Sequence, residues 1–411
     1  SSRILPVVPI GRVDCAGLGP TRSPPDQRAG IAHGGRIGLL DRGVSAEPSI
    51  MNAPLRVALV VPSLWGGGLE RVVRDLATQL QATEARPAVF ALDGLGVHAD
   101  ALVERGIEVH DCSESGWRIR GIPGRLIKAL WKFGPDVIHA HSGTWLPAVV
   151  SRLALGSRPS LIYTEHGRYP PEPRGRAALE RQLARCTTQI VTVSDSVADY
   201  LTQFLALPDR PVVIPNGIDL APYAVDRSTA REFIRRSWNI PADAVVVIAV
   251  GRFAPVKNHA GMLRAFQAAS SHEPSLRLVL LGAGPLETDL RSLSSELGVT
   301  DRVVFAGFRQ DVPDCLSAAD CWLCASQTEG LPIALLEGMA AGLAIVSYHV
   351  GGIPAATLDA GWIVPQGDEA ALGQALVTMA RDRLARERSQ HRARELSQSY
   401  SLAQMTARYR L

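Results

Sequence analysis

The sequence predicts an α/β protein built from two doubly wound parallel sheets, one after the other along the chain. Three observations carry this expectation. Short apolar runs of strand length recur, segments with helical spacing separate them, and the series starts again at Val245 after a break near Asp219 to Tyr223. Strands buried on both faces read as continuous apolar runs, as Val245 to Val250 does.

In chain order, residues 1–50 are rich in Gly, Pro, Arg and Asp without a sustained period, and read as disordered chain or an artefactual N-terminal extension. They lack the three-part pattern of a signal peptide. Met51 stands directly before the first strand pattern and is the expected start, the preceding segment being an upstream translation or cloning artefact. Strands are expected at 56–62, 86–92, 136–141, 160–164, 189–193 and 211–214, with helices near 69–82 and 98–105. The second series has strands at 245–250, 276–281, 302–305, 320–324 and 343–347, with helices near 257–271, 285–297, 312–318 and 332–341. The expected domains are therefore 51–222 and 223–390, followed by a C-terminal helix within 391–411.

Composition excludes several classes. An apolar fraction of 46% with 20% charged residues is that of an ordinary globular protein with enough apolar residues for two cores. A formal net charge of +3 over 411 residues makes no field of the kind that binds nucleic acid. No apolar run approaches the roughly 20 residues that cross a bilayer. Six scattered cysteines form no disulfide framework, which fits a reducing cytoplasm. Cys321 and Cys324 fall on a short buried strand, where residues three apart face opposite ways, so a paired redox or metal role is not expected of them.

Two glutamates with seven residues between them, Glu329 and Glu337, carry the most chemical information. Glu329 lies in a turn broken by Gly330 and Pro332, and Glu337 lies inside an apolar helix whose first position suits Pro332. Such a helix start leaves the N–H groups of Gly330, Leu331 and Ile333 open, and its dipole favours a diphosphate. Glu337 can take two vicinal ribose hydroxyls and Glu329 the hydroxyls of a sugar, because an ionised carboxylate offers two acceptor oxygens. Seen alone, the pair also reads as a solvated loop glutamate and an ion-paired helix glutamate. Arg252 and Lys257 project from the loop after the Val245 strand, a fork and a point charge that neutralise phosphate oxygens without metal.

These segments, Gly251-Arg252-x4-Lys257-Asn258 and Glu329-x7-Glu337, resemble those of the retaining glycosyltransferases of family 4, glycosyl transferases group 1. So do Leu280 to Pro285, Val304 to Arg309, Val193 to Ser196, Ile214 to Asp219, Gly66 to Arg71 and Thr164 to Arg168, in the family's order. The resemblance spans residue 55 to the C-terminus. It implies the GT-B fold, two Rossmann-like domains with a cleft between them, and transfer of a hexosyl group from a nucleotide diphosphate sugar to an acceptor hydroxyl with retention. The departing diphosphate is implied to help take the acceptor proton, so no protein nucleophile is required. Catalytic roles are implied for Glu329, His166, Arg252 and Lys257, with His166 beside the transferred sugar. Substrate binding is implied for Gly67, Gly68, Arg252, Lys257, Gly330, Leu331, Ile333, Glu337, Gly307, Phe308 and Asn216. The family's final helix crosses back onto the first domain.

The absence of any Asp-x-Asp argues against a divalent-metal diphosphate site, so neither metal nor cofactor is expected. His139 and His141 share one face of a strand, and strand-end histidines lining the cleft are the expectation rather than a metal pair. Gly282-Ala283-Gly284-Pro285-Leu286-Glu287 is an incomplete dinucleotide fingerprint and reads as a turn on the nucleotide side. Arg118, Arg120, Arg125, Lys128 and Lys132 interleave with Trp117, Ile119, Leu126, Leu130, Trp131 and Phe133, a pattern shared by a helix on an anionic membrane and a core helix with a solvated basic face. The expected acceptor is a glycan, a lipid-linked molecule or a small molecule, in polysaccharide, glycolipid or other glycoconjugate synthesis, and the expected place is the cytoplasm, either free or in peripheral contact with the inner face of the cell membrane. A nucleotide-sugar epimerase of the same architecture and a non-catalytic nucleotide-sugar binder are the competing readings.

Overall fold

The computed structural model describes residues 53–114, 122–168 and 171–409. The expectations for residues 1–50 and Met51, and for Trp117, Arg118, Ile119 and Arg120, lie outside these. The described chain forms two parallel sheets. The first has seven strands in the order β3-β2-β1-β4-β5-β6-β7. These are β1 Leu55–Val61, β2 Ala85–Ala91, β3 Glu108–Asp111, β4 Val137–His141, β5 Ser160–Glu165, β6 Gln189–Thr192 and β7 Val212–Val213. The second has six, in the order β10-β9-β8-β11-β12-β13. They are β8 Val245–Val250, β9 Leu276–Leu281, β10 Val303–Gly307, β11 Cys321–Cys324, β12 Ala344–Tyr348 and β13 Gly361–Val364. Strand order turns back at β1/β4 and again at β8/β11, and at such switch points the loops beyond the strand ends part to form a crevice. This is the two-lobed α/β architecture of the GT-B fold.

Parallel pairing fixes the direction of every strand, so the carboxyl ends of each sheet gather along one edge. The central strands are apolar on both faces because helices cover both. Ala58 to Val61 and Val246 to Ile248 are fully buried. Sequence reading omits β3 and β13, each at one edge of its sheet. Edge strands have one neighbour each, and Glu-Val-His-Asp and Gly-Trp-Ile-Val lack a strong apolar run. It also omits the helices Trp145–Ala154, Arg176–Arg185, Asp195–Leu205, Ser228–Ser237, Ile353–Thr357 and Glu369–Arg381.

Three boundaries differ from expectation with physical consequences. Pro332 is still extended (ψ 130°) and caps the helix Ile333–Ala340 instead of occupying its first position. Lys257 ends a one-turn 3-10 segment, Pro255–Lys257. The following helix, His259–His272, starts only after Asn258, which takes a left-handed conformation and accepts from the Gly261 N–H at 3.2 Å. The expected final helix is two helices, Arg383–Ser397 and Leu402–Tyr409. Between them Ser401 is extended and bridges to Ile218, with Ile218 N–H donating to Tyr400 O and Leu402 N–H to Ile218 O. The chain end is thus laced to the connection between the sheets. A Cβ on Gly217 would fall 2.6 Å from the Ser401 carbonyl oxygen, so only glycine permits this approach.

Cys321 and Cys324 lie in β11, and both thiols are free and buried. Among the described residues no helix is long and apolar enough to cross a membrane. The helix Gly124–Phe133 buries Leu126, Leu130 and Phe133 against the first sheet and leaves Arg125, Lys128, Trp131 and Lys132 exposed.

Candidate active site

Two helix starts converge between the lobes. Gly67 caps the helix Gly68–Gln81 with extended backbone, and a Cβ on Gly68 would stand 3.7 Å from the Ile333 side chain at the start of Ile333–Ala340. Both positive helix ends therefore meet in one place, where an anion is favoured twice. Among the described residues the N–H groups of Gly330, Leu331 and Ile333 have no acceptor.

The turn carrying Glu329 is wedged against the first lobe. A Cβ on Gly330 would lie 1.9 Å from the His166 carbonyl oxygen and 2.8 Å from Val193, which explains a glycine there. Thr328 Oγ1 donates to Arg168 O at 2.7 Å, and Asn216 Nδ2 donates to Leu331 O at 2.8 Å. Asn216 is buried and gives one amide N–H to this backbone, so it positions the turn.

Lys257 Nζ stands 2.5 Å from Glu329 Oε1, an ion pair across 72 residues of chain. Glu337 is 3% exposed and receives a hydrogen bond from Tyr223 OH at 2.8 Å and another from Arg71 Nη1 of the first lobe. Arg252 is exposed, and its charge acts on Glu70, whose carboxyl is raised by burial and only partly lowered by its hydrogen bonds and by Arg252. Since Glu70 belongs to the first-lobe helix Gly68–Gln81, the Arg252 charge is felt across the crevice. Phe308 is 58% exposed, and a Cβ on Gly66 would meet its ring at 3.2 Å, so this second-lobe aromatic reaches the first-lobe glycine loop. Gly307 beside it takes φ +69°. Gly282 and Gly284 pack on the Gly251–Phe253 backbone, where a Cβ would come 2.0 Å from Gly251 O and 2.5 Å from Phe253 O respectively. That turn serves close packing beside the Arg252 loop.

His139 and His141 do not line the cleft. They are 3% and 0% exposed, with ring centroids 4.2 Å apart and planes tilted by 30°, beside half-buried His166. His141 Nδ1 is 3.0 Å from His166 Nε2, and His139 Nε2 is 2.8 Å from Thr164 Oγ1, itself 3.2 Å from Tyr409 OH of the last helix. Alternation on β4 places these rings on the face where β5 delivers Thr164, and the cluster forms there. Burial pushes His166 down to about 4, and burial followed by the neighbouring His166 pushes His139 down to about 3. His259 falls to about 4, from burial and then from Lys257.

A histidine whose folded pKa is depressed stabilises the fold above its unfolded value and loses that stability as pH falls toward the folded value. With the ordinary value at 6.5, stability is expected to decline below that pH. The slope is about 1.4 kcal/mol per pH unit for each of buried His139 and His259. Urea midpoints near pH 7.5, 6 and 5 check this; equal midpoints would mean the rings protonate in place.

Sequence reading missed Arg71, Tyr223 and Arg168. Arg168 is 5% exposed and lies within ion-pair distance of Glu165 at 2.6 Å, Glu180 at 2.8 Å and Glu172 at 3.5 Å. Arg176 closes the cluster on Glu172 and Glu180, both at 2.8 Å. The Arg168 N–H groups are not aligned with these oxygens, so the attraction is ionic rather than directional. The part with a sequence signal was the i, i+4 pair Arg176 and Glu180 on the helix Arg176–Arg185.

Two facing lobes with convergent helix starts define the GT-B class of transferase. The chain belongs to the family 4, group 1 glycosyltransferases. Residues 66–222 match the pattern described as Glycosyltransferase Family 4, and residues 230–396 that described as Glycosyl transferases group 1. A D-inositol 3-phosphate glycosyltransferase of Saccharomonospora viridis is 31% identical over 297 residues, covering 66% of this chain and 68% of the relative. An Escherichia coli UDP-Gal:alpha-D-GlcNAc-diphosphoundecaprenol alpha-1,3-galactosyltransferase is 27% identical over 241 residues, 55% of this chain and 61% of its own. Among solved structures, Anabaena Alr3699/HepE in complex with UDP-glucose superposes with a TM-score of 0.77 at 19% identity, covering 86% of this chain and 98% of that one. The likeness to that structure is one of fold.

Proposed function

We propose that this protein moves a hexosyl group from a nucleotide diphosphate sugar to an acceptor hydroxyl with retention and without a metal. The observation that supports the reading best is the convergence of the Gly68–Gln81 and Ile333–Ala340 helix starts, with Lys257 and Arg252 beside them. Open N–H groups, two dipoles and two cations supply the charge that a departing diphosphate needs. Glu337 takes the ribose hydroxyls, exchanging Arg71 or Tyr223 for them, and Glu329 orients the sugar while holding Lys257. Gly307 and Phe308 border the base, and His166 meets a sugar hydroxyl. Catalysis then consists of positioning and of stabilising the leaving group. The relative named for transfer from UDP-Gal supports a sugar nucleotide as donor.

The acceptor enters from the first-lobe side, past Gly67 and Gly68. The exposed face of Gly124–Phe133, with Lys128, Trp131 and Lys132, suits an anionic membrane surface, as a lipid-linked acceptor at the inner leaflet of the cytoplasmic membrane would require. The test of the central reading is transfer assayed with UDP, GDP and ADP sugars, in EDTA and with added magnesium. Undiminished turnover in EDTA is the expected result. Activity lost to EDTA and restored by magnesium would overturn the account of the leaving group.

A further inference from the structure

His141 is fully buried, and its Nε2 has no hydrogen-bond partner among the described residues. Its other nitrogen, Nδ1, lies 3.0 Å from His166 Nε2. Both rings are kept neutral: burial, then His139 and His166, holds His141 well below the usual histidine range, and burial lowers His166 to about 4. Two neutral imidazoles at this distance share one proton, and its position fixes both tautomers. If His166 Nε2 carried it, His141 Nδ1 would be bare and His141 Nε2 would hold a buried N–H with no acceptor, the rarer and costlier kind of orphan. With the proton on His141 Nδ1, the unpartnered Nε2 is only a bare lone pair.

We propose that His141 is a positioning residue whose Nδ1–H donates to His166 Nε2, fixing the His166 proton on Nδ1 as the one polar edge of that ring left for a ligand. His166 then meets the sugar as a hydrogen-bond donor, and it cannot accept the acceptor's proton through Nδ1. This rests on the reading of His166 as the residue beside the transferred sugar. The backbone supports the arrangement, because the His166 N–H is tied to Ser142 Oγ at 2.7 Å and Ser142 in turn donates to Glu165 at 2.5 Å, so the loop holds the ring beside His141.

The experiment has two arms. In the full chain with 15N-labelled histidine, long-range proton–nitrogen correlation is expected to show His166 protonated at Nδ1 and bare at Nε2; protonation at Nε2 overturns the proposal without any variant having to fold. In the second arm His141→Leu is expected to lower kcat by about 10-fold, the loss of one hydrogen bond, with UDP or GDP affinity unchanged. His141→Asn, which keeps an N–H near the Nδ1 position, is expected to recover most of the loss. Wild-type kcat in His141→Leu alongside an impaired His166→Leu overturns the positioning role. Wild-type kcat in His166→Leu overturns instead the sugar-side reading on which it stands.

Discussion

Replacing Lys257 with alanine is expected to lower turnover by about 10²–10³-fold, the usual cost of removing one group aimed at developing charge. The ammonium lies 2.5 Å from Glu329 at the end of a short 3-10 turn and close to the start of Ile333–Ala340. Negative charge on the diphosphate grows as the glycosidic bond breaks, so the lost interaction is stronger in the transition state than in the bound donor. The fall should therefore be seen in kcat and in kcat/KM alike, with a smaller change in donor KM. Removing Lys257 also leaves Glu329 without this cation, which repels a diphosphate and adds to the loss. Steady-state kinetics with UDP- and GDP-sugars measure it, and wild-type turnover in the variant would remove Lys257 from the mechanism.

Arg168→Ala should destabilise the protein by about 3–5 kcal/mol, because it strands buried carboxylates that share its charge. Glu165 and Glu180 are 2% and 7% exposed, and among the described residues only Arg176 would remain to pair with Glu172 and Glu180. Glu165 would keep Tyr163, Ser142 and the Gly167 N–H as hydrogen-bond donors but, among the described residues, no cation. Arg168→Lys restores one charge without the planar fork and should recover part of the loss. Urea denaturation of the three proteins gives the comparison. A loss under about 1 kcal/mol in the alanine variant, the scale of an exposed pair, would show that water already solvates the cluster. Because Thr328 bonds to the Arg168 carbonyl and not to its side chain, the contact between the lobes should survive in folded Arg168→Ala.

Most of the strand series was legible because its signal is local. Val245 to Val250 is apolar throughout since helices cover both faces, and Gly251 ends it where the backbone must pass Gly282 closely. Strands β3 and β13 were not legible, because Glu-Val-His-Asp and Gly-Trp-Ile-Val carry no continuous apolar run, whereas the edge strand β10 does in Val303 to Ala306. The break between the last two helices was equally hidden. Ser401 leaves the helical path to pair with Ile218, a partner that no periodicity in 391–411 announces.

The site shows the same division. Glu329, Glu337, Arg252 and Lys257 could be singled out from their turns and their spacing. That Glu337 is held by Arg71, 266 residues earlier, and by Tyr223, 114 residues earlier, could not. His139 and His141 were recognisable as a pair on one face of a strand. Their place beside His166 follows from the pairing of β4 with β5, and Tyr409 joins them only because the final helix lies on the first lobe.

The sequence by itself determined the two series of parallel strands and the residue types offered to a diphosphate. Backbone conformation and burial within one segment respond to neighbours a few residues away, so these properties are written locally. Tertiary structure alone decided which charges meet, which histidines lose their water and which ring nitrogen goes unpartnered among the described residues. Those depend on distances between segments far apart in the chain, and such distances exist only once both sheets have formed and closed on each other.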